Sequence, residues 1–593
     1  MPLPLREAHD RRGEMIRSLR VKAWIFTSIL TILLTSAPVF AQRVIPRIDP
    51  TGRSGDRRPD LLGEQLLTPS LETLPLVPPS VPPAAADELL LKGVFVRKIV
   101  VTGNTVFSPE ELSQVTAPYE NRPLISEDLE ALRRALTLYY INHGFINSGA
   151  FIPDQTVVDG IVTIQIVEGK LSSIEIEGNK WFRDSYIKDR LAIGAGPPVN
   201  LNPLQQRLQF LQQDPRISGI HADMRPGTRP GESVLKVNVE EKTPLYAWLA
   251  FNNYQSPSVG AEQGVLTLAH QNLTGHGDIL NLTYGRSKGM NPLIDVWYSL
   301  PVTVHDTTLF LRYRKNDFNV IDEVFDPLDT ESRCNIYEIT LRQPLYRTLN
   351  QEFAVALTGN YLEDKTFLLG EPFSFYPGVE NGESAVTALR FSQEWIYRTQ
   401  HEVLAARSRF SFGIDALDAT VHGSSLTPDG RFLSWLGQFQ WARVLKTWDT
   451  QLLFRTDVQI SNQPLLPLEQ IAVGGRYTVR GYRENLLVRD QALIASLELR
   501  IPIVQNAAWA EYLQLVPFSD YGYAKNKDLP TFYPRSIYSV GLGLRWGVPL
   551  MKSPAELKLD FEFYWGYALV DVNPPDHNLQ DDGIHFQIAV TGF

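Results

Sequence analysis

From Leu245 to the end, 349 residues obey one rule: apolar and polar side chains alternate with a period of two, segment after segment. That period is a strand's, because successive side chains point to opposite faces. Between Glu556 and Trp565, Leu557, Leu559, Phe561, Phe563 and Trp565 share one face, and Glu556, Lys558, Asp560 and Glu562 share the other. Tyr538, Val540, Leu542, Leu544 and Trp546 repeat the pattern against Ser539, Gly541, Gly543 and Arg545. So do Leu493, Ala495, Leu497, Leu499 and Ile501 against Ser496, Glu498 and Arg500, and Leu452, Phe454, Thr456, Val458 and Ile460 against Gln451, Arg455, Asp457 and Gln459. In a soluble sandwich the charged face would meet bulk water. In a membrane barrel the apolar face meets lipid and the charged face lines a hydrated lumen.

The connections decide for the barrel. Short turns near Thr274–Asp278, Pro301–Asp306, Tyr346–Asn350, Arg398–His401, Lys446–Trp448, Pro502–Ala507 and Gly547–Pro554 alternate with longer polar loops near 255–262, 287–291, 317–333, 364–384, 416–430, 461–490, 521–535 and 568–583. Such one-sided loop lengths mark outer-membrane barrels and predict about 16 antiparallel strands, with both barrel ends on the short-turn side. Trp248, Tyr284, Trp297, Trp395, Trp435, Trp441, Trp546 and Trp565 lie near strand ends, as interfacial girdles require. Barrels of this kind commonly close on an aromatic residue, here Phe593, but Ile584, Phe586, Ile588 and Val590 have the opposite parity; a bulge at Gly592 would restore the register.

Upstream, Arg17, Arg20 and Lys22 precede an apolar run, Ala23 to Leu34, and a small-residue site at Val39-Phe40-Ala41. Residues 1–41 therefore read as a cleaved export signal, with Met1 or Met15 as initiator. After residue 45 no apolar run approaches the ~20 residues of a spanning helix. A net charge of −10 argues against a nucleic-acid partner, and a single cysteine, Cys334, precludes an intrachain disulfide. Residues 42–92 form a Pro-rich tether, with Pro78, Pro79, Pro82 and Pro83 barring helix at its end.

Between tether and barrel one pattern occurs twice. Val94 to Thr102 reads as a strand, Gly103-Asn104 as a turn, Ser108-Pro109-Glu110-Glu111 as a helix start, and Ser126 as the cap of a second helix with Leu129, Leu132, Leu136 and Tyr139 on one face. Strands at Ala150–Pro153 and Gly160–Val167 follow. Ile174 to Asn179 then repeats Ile99 to Asn104 at an offset of 75 residues, followed by helices over Asp184–Leu191 and Asn200–Gln213 and strands at Ile217–Met224 and Ser233–Val239. This is β-α-α-β-β twice, over 93–171 and 172–243, before an all-β barrel over 244–593.

The barrel carries one unusual stretch, Val473 to Tyr482, VGGRYTVRGY. Taken alone it reads as a Gly-rich hairpin loop with a solvated arginine. Inside a narrowed lumen the same arginine is partly desolvated and needs a carboxylate. Nothing catalytic accompanies it: G-x-S-x-G, H-E-x-x-H and the Walker phosphate loop are missing, and no cofactor or metal set is expected.

The strand-Gly-Asn turn and DGIVTIQIVEGKL (Asp159 to Leu171) resemble POTRA domains, the periplasmic modules of outer-membrane insertases and translocases. With two such modules and the barrel, Gly93 to Phe593 resembles the two-partner secretion transporters (TpsB; ShlB/FhaC/HecB family). Gly474, Gly475, Val479, Arg480, Gly481 and Tyr482 match that family's sixth-loop motif, and Phe518, Asp520 and Gly522 its companion motif at the outer end of the thirteenth strand. The resemblance implies that loop 461–490 folds inward through the lumen and that Arg480 meets Asp520 on its wall. It implies an outer-membrane pore whose POTRA domains take an unfolded TpsA-type exoprotein (haemolysin or adhesin) by β-augmentation, and assembly of the barrel by the Bam machinery. Relatives of the FhaC type carry an N-terminal plug helix. Residues 43–90 are too proline-rich for one of that length, which leaves a short plug near Leu61–Leu67 or none. An insertase of the same superfamily, or a passive porin-type barrel, is the alternative.

Overall fold

The computed structural model describes residues 93–592 except 323–325, 425–426, 447, 553–555 and 573–576. The expected signal peptide and tether, the plug segment and Phe593 lie outside the described residues.

Two α/β units come first. Val94–Thr102, expected as one strand, is two: β1 (Val94–Val96) pairs with β3 (Arg122–Leu124), while β2 (Lys98–Thr102) runs parallel to β5 (Ile161–Val167). The break falls at Arg97 because its N–H and that of Lys98 both donate to Gly160 O, at 2.7 and 3.2 Å, which turns the chain between sheets. The far edge of β5 carries antiparallel β4 (Gly149–Phe151). The second unit repeats this order, with β6 (Lys170–Glu177) parallel to β8 (Glu232–Glu241) and β7 (Ile217–Pro226) antiparallel beside it. Helices α1 (Pro109–Thr116) and α2 (Ser126–Asn142) cover the first sheet, α3 (Asp184–Ala192) and α4 (Leu201–Gln212) the second. Leu132, Leu136 and Ile164 are fully buried in one core, Ile187, Leu204 and Leu235 in the other.

The first two helix starts are capped differently. Ser108 Oγ accepts from Glu111 N (3.2 Å) and Glu111 Oε2 accepts from Ser108 N (2.7 Å), a reciprocal cap. Ser126 is not the cap of α2 but its first residue; Asp128 Oδ2 accepts from Ile125 N at 3.1 Å instead. After β2 and β6 the chain reverses through left-handed Gly103 (φ 78°) and Gly178 (φ 81°). Asn104 and Asn179 Nδ2 then donate to Phe107 O and Phe182 O, at 3.0 and 2.8 Å. A carboxylate from the unit's last strand region caps each turn. Glu168 Oε1 accepts from Thr105 N (2.7 Å), Val106 N (3.0 Å) and Tyr140 OH (3.0 Å), and the Glu241 carboxylate accepts from Trp181 N (2.7 Å) and Phe182 N (3.1 Å). Burial pushes the Glu168 carboxyl up, but donation from Thr105, Val106 and Tyr140 outweighs it and holds the group below its ordinary range.

The rest is a closed antiparallel barrel. Its strands are β9 (Leu245–Asn252), β10 (Gln263–His270), β11 (Ile279–Ser287), β12 (Met290–Pro301), β13 (Thr308–Asn319), β14 (Glu331–Arg347), β15 (Gln351–Leu368), β17 (Glu383–Arg398), β18 (Glu402–Ile414), β19 (Leu433–Val444), β20 (Gln451–Ser461), β23 (Gln491–Ala507), β24 (Ala510–Lys525), β25 (Ser536–Met551), β26 (Leu557–Ala568) and β27 (Ile584–Gly592), sixteen in all. A two-residue strand, β16 (Glu371–Pro372), extends the end of β15, and β27 closes on β9. Antiparallel closure leaves no free sheet edge.

Four expectations about the barrel are corrected. The Pro502–Ala507 turn is strand: β23 runs to Ala507, because a register shift between Pro502 and Val504 accommodates the proline, as shifts after Pro344 and Pro549 do elsewhere. The loop near 287–291 is only Lys288-Gly289, since β10 and β11 stay paired out to Gln263 and Ser287. Trp248 and Trp297 are not outward girdle residues. They share a face with buried Ala250 and buried Asp295 respectively, because composition near a strand end does not state parity. No bulge occurs at Gly592; β26 and β27 pair in unbroken register from Leu557–Gly592 to Trp565–Ile584.

The second α/β unit sits on the short-turn rim. Arg183 N and Nε donate to Gly275 O (3.0 Å) and Thr274 O (2.9 Å), Arg216 Nη1 to Gln271 O (2.8 Å), and Arg190 Nη2 to Asp306 Oδ1 (2.9 Å). Asp306 is also met by Arg347 of the barrel, at 2.5 Å.

Candidate functional site

The loop between β20 and β23, residues 462–490, does not project from the barrel. From 464 to 490 every residue but Tyr477 is buried. The loop forms a small hairpin, β21 (Ile471–Val473) with β22 (Leu487–Arg489), and its tip is VGGRYTVRGY. Gly474 and Gly475 are left-handed (φ 114° and 96°), and a Cβ on Gly475 would lie 2.0 Å from the Glu484 carboxyl. Glu484 uses that closeness to accept from Arg476 N at 2.6 Å.

Arg480 is 2% exposed and is held at every guanidinium nitrogen. Its backbone N–H and Nε donate to Asp520 Oδ2 at 3.0 and 2.8 Å, and Nη2 donates to Asp520 Oδ1 at 2.9 Å and to Ser496 Oγ at 3.1 Å. Nη1 donates to Glu498 Oε2 at 2.6 Å. Ser496 in turn donates to Asp520 Oδ1 at 2.6 Å, which fixes the carboxylate's rotation. The guanidinium lies over the Phe518 ring, 3.7 Å from its centroid. Strand alternation produces this: Ser496, Glu498 and Arg500 share the lumen face of β23, and Phe518 and Asp520 that of the neighbouring β24. Beside it, Arg476 Nη2 meets Glu562 Oε2 of β26 at 2.9 Å, and Arg545 Nε the other oxygen at 3.0 Å. Arg500 Nε donates to Glu498 Oε1 at 2.8 Å. Four guanidiniums, Arg476, Arg480, Arg500 and Arg545, thus share three carboxylates, Glu498, Asp520 and Glu562.

The remaining motif residues fit by shape. A Cβ on Gly522 would lie 2.8 Å from Val479 Cγ2 and 2.5 Å from Val473 Cγ1, so its bareness seats the loop's apolar side. Gly481 (φ 93°) crosses β26 at Gly566, where a Cβ on either would come within 3 Å of the other's backbone. Tyr482 OH donates to Tyr538 O (2.8 Å) and accepts from Val570 N (3.0 Å). The structure thus brings all nine motif residues into one buried contact between loop six and the wall formed by β23 to β26.

A family model described as haemolysin secretion/activation protein ShlB/FhaC/HecB matches residues 231–546, and one described as POTRA domain, ShlB-type, matches residues 94–169. The chain belongs to the ShlB/FhaC/HecB family. It is similar to the outer membrane transporter CdiB of Dickeya dadantii (strain 3937), 27% identical over 35% of this chain and 36% of that protein, and to CdiB of Escherichia coli, 25% identical over 66% of each. The chain thus spans from about a third to two thirds of the length of these relatives. Among solved structures, CdiB from Escherichia coli matches with a TM-score of 0.64 at 20% identity, covering 93% of this chain and 99% of that one, which speaks for the fold.

Several site residues carried no motif. Glu498 and Ser496 were visible as lumen-lining positions, but nothing in the sequence paired them with Arg480. Gly566 reads as one more strand glycine until Gly481 is laid across it. A further contact lies away from the tip: Glu469, near the loop's start, meets Arg390 of β17 at 2.6 and 3.0 Å, 79 residues apart in the chain.

Proposed function

We propose that this member of the family is an outer-membrane translocation pore of two-partner secretion. An export signal over 1–41 and a tether over 42–92 would deliver two periplasmic POTRA units, 93–171 and 172–243, that capture an unfolded TpsA-type exoprotein, which the barrel, 244–593, passes to the cell surface. The observation that carries this is a lumen lined with charge and occupied by an inward-folded loop, in a barrel preceded by two POTRA-like units, the second seated on its short-turn rim. A passive porin needs neither the units nor a loop held by three separate wall carboxylates. Phe151 stands exposed on the edge strand β4, where an extended client could be taken by β-augmentation in place of the Thr137 hydroxyl that accepts from Ala150 N at 3.1 Å.

Loop six is the gate in this reading. Docked, it fills lumen that an exoprotein must cross, so transport requires its displacement, and Arg480 with Asp520 is the catch. The chain acts as a conduit without bond chemistry of its own, and its barrel would be placed in the membrane by the Bam machinery. Deleting residues 94–169 tests the capture step. Secretion of a cognate exoprotein should cease while the barrel keeps its heat-dependent gel shift; secretion that persists rules the capture role out.

A further inference from the structure

Loop six is held in two places that share no residue. The tip packs Val473, Val479, Tyr482 and Leu487 against Ile494, Ala524 and Ile537. The root packs Leu465, Leu466 and Leu468 against a different wall, Cys334 and Ile336 of β14, Leu362 of β15, and Val386 and Ala388 of β17. On its lumen side that wall carries an apolar patch between polar neighbours, Asp364 and Ser384 on one side and Asn360 on the other, in a lumen that hydration favours as polar. At its edge, next after Ala388 on the same face, stands Arg390, 2% exposed, with Nη1 and Nη2 on the two Glu469 oxygens at 3.0 and 2.6 Å. Nε donates to Asn360 Oδ1 at 2.7 Å, and Nη1 to Ser411 Oγ at 2.8 Å. Gln459 Nε2 ties the root to β20 through Glu469 O, at 3.0 Å. Apolar lumen surface is costly when wet and suited to being covered, and the guanidinium buried beside it tolerates that cover only with its carboxylate in place.

We propose that Arg390 and Glu469 form a second, independent anchor of loop six, a positioning pair that seals the β14–β17 side of the lumen and stays closed when the Arg480 catch opens. Opening is then sequential: the tip swings on a docked root, and the full bore appears only when both anchors part. This rests on reading loop six as the gate, but the root's docking can be measured with no exoprotein present.

Cys334, the chain's one cysteine, is fully buried beneath the root and reports on it. In the purified full chain in detergent, labelling by a water-soluble maleimide should be slow in the wild type and equally slow in Asp520→Asn. In Glu469→Gln it should rise by roughly a hundredfold, the scale set by parting a buried pair. Leu466→Ala, which shortens the apolar foot and leaves every charge in place, should also raise it. Planar-bilayer conductance should increase modestly in Asp520→Asn and Glu469→Gln, and much further in the double variant. Each variant's heat-dependent gel shift certifies the barrel. Protection of Cys334 in both root variants overturns the proposal, as does its exposure by Asp520→Asn alone, which would make loop six one rigid plug. Loss of secretion has no bearing on either outcome, and a failed secretion assay leaves the labelling result standing.

Discussion

The POTRA-like units and the sixth loop solve the same problem, burial, with a different share of charge. The units bury aliphatic side chains in two cores, and each lost contact costs in proportion to its area. The loop has apolar contacts at tip and root as well, but alongside them it buries four guanidiniums and three carboxylates at its tip, and another pair at its root. Charged contacts out of water are poor as net stabilisers, yet breaking one partner leaves an uncompensated charge. A contact of that kind is all or none. It suits a catch that must be held in one state and released in another, whereas the aliphatic cores suit modules that keep their shape while a client binds.

The largest expected effect falls on the catch. Arg480→Met leaves Asp520 without its guanidinium, while Glu498 keeps Arg500, and should destabilise loop docking by ~3–5 kcal/mol, read as a lower midpoint in the thermal gel-shift assay. A loss under ~1 kcal/mol, the size of an exposed pair, would remove the contrast between the two regions. Next comes the second unit's core: Leu204→Ala should cost ~2–5 kcal/mol by cavity formation, seen as earlier proteolysis of that unit with the barrel's gel shift unmoved. If the barrel shifts with it, the rim contacts at Arg183, Arg190 and Arg216 couple the regions more tightly than their separate cores suggest. A smaller effect is pH-dependent. Glu168 has a folded pKa held below its unfolded value, so its contribution is complete above the ordinary carboxylate pKa and fades as pH falls through the folded value. Glu168→Gln should flatten the acid limb of the first unit's stability curve and leave the neutral region nearly level in slope. The smallest belongs to the exposed pair Arg122–Asp128, 3.0 Å apart: Arg122→Ala should change stability by roughly 0–1 kcal/mol.

What the sequence disclosed follows the same division. Period-two alternation, short turns on one side and long loops on the other were enough for sixteen strands and the place of loop six. The parity of Ser496, Glu498 and Arg500 put them on the lumen face. Parity cannot be read from composition, which is why Trp248 and Trp297 were assigned to the wrong face, and Pro502 was taken for a turn because a bulge leaves no mark but the proline itself. The root anchor was invisible for a plainer reason. Arg390 and Glu469 stand on elements far apart in the chain, in stretches with no motif, and only barrel closure brings them together.

The claim that loop six must leave its dock for transport can be tested by locking it there. A Cβ on Gly522 would stand 2.8 Å from Val479 Cγ2. That is close to the ~3 Å between one cysteine's Cβ and the other's sulfur in a disulfide. In a Cys334→Ser background, with Val473→Ala making room, Val479→Cys and Gly522→Cys should cross-link on oxidation. Secretion of the cognate exoprotein should stop with cross-linking and return on reduction; secretion undiminished with the cross-link complete would contradict the account.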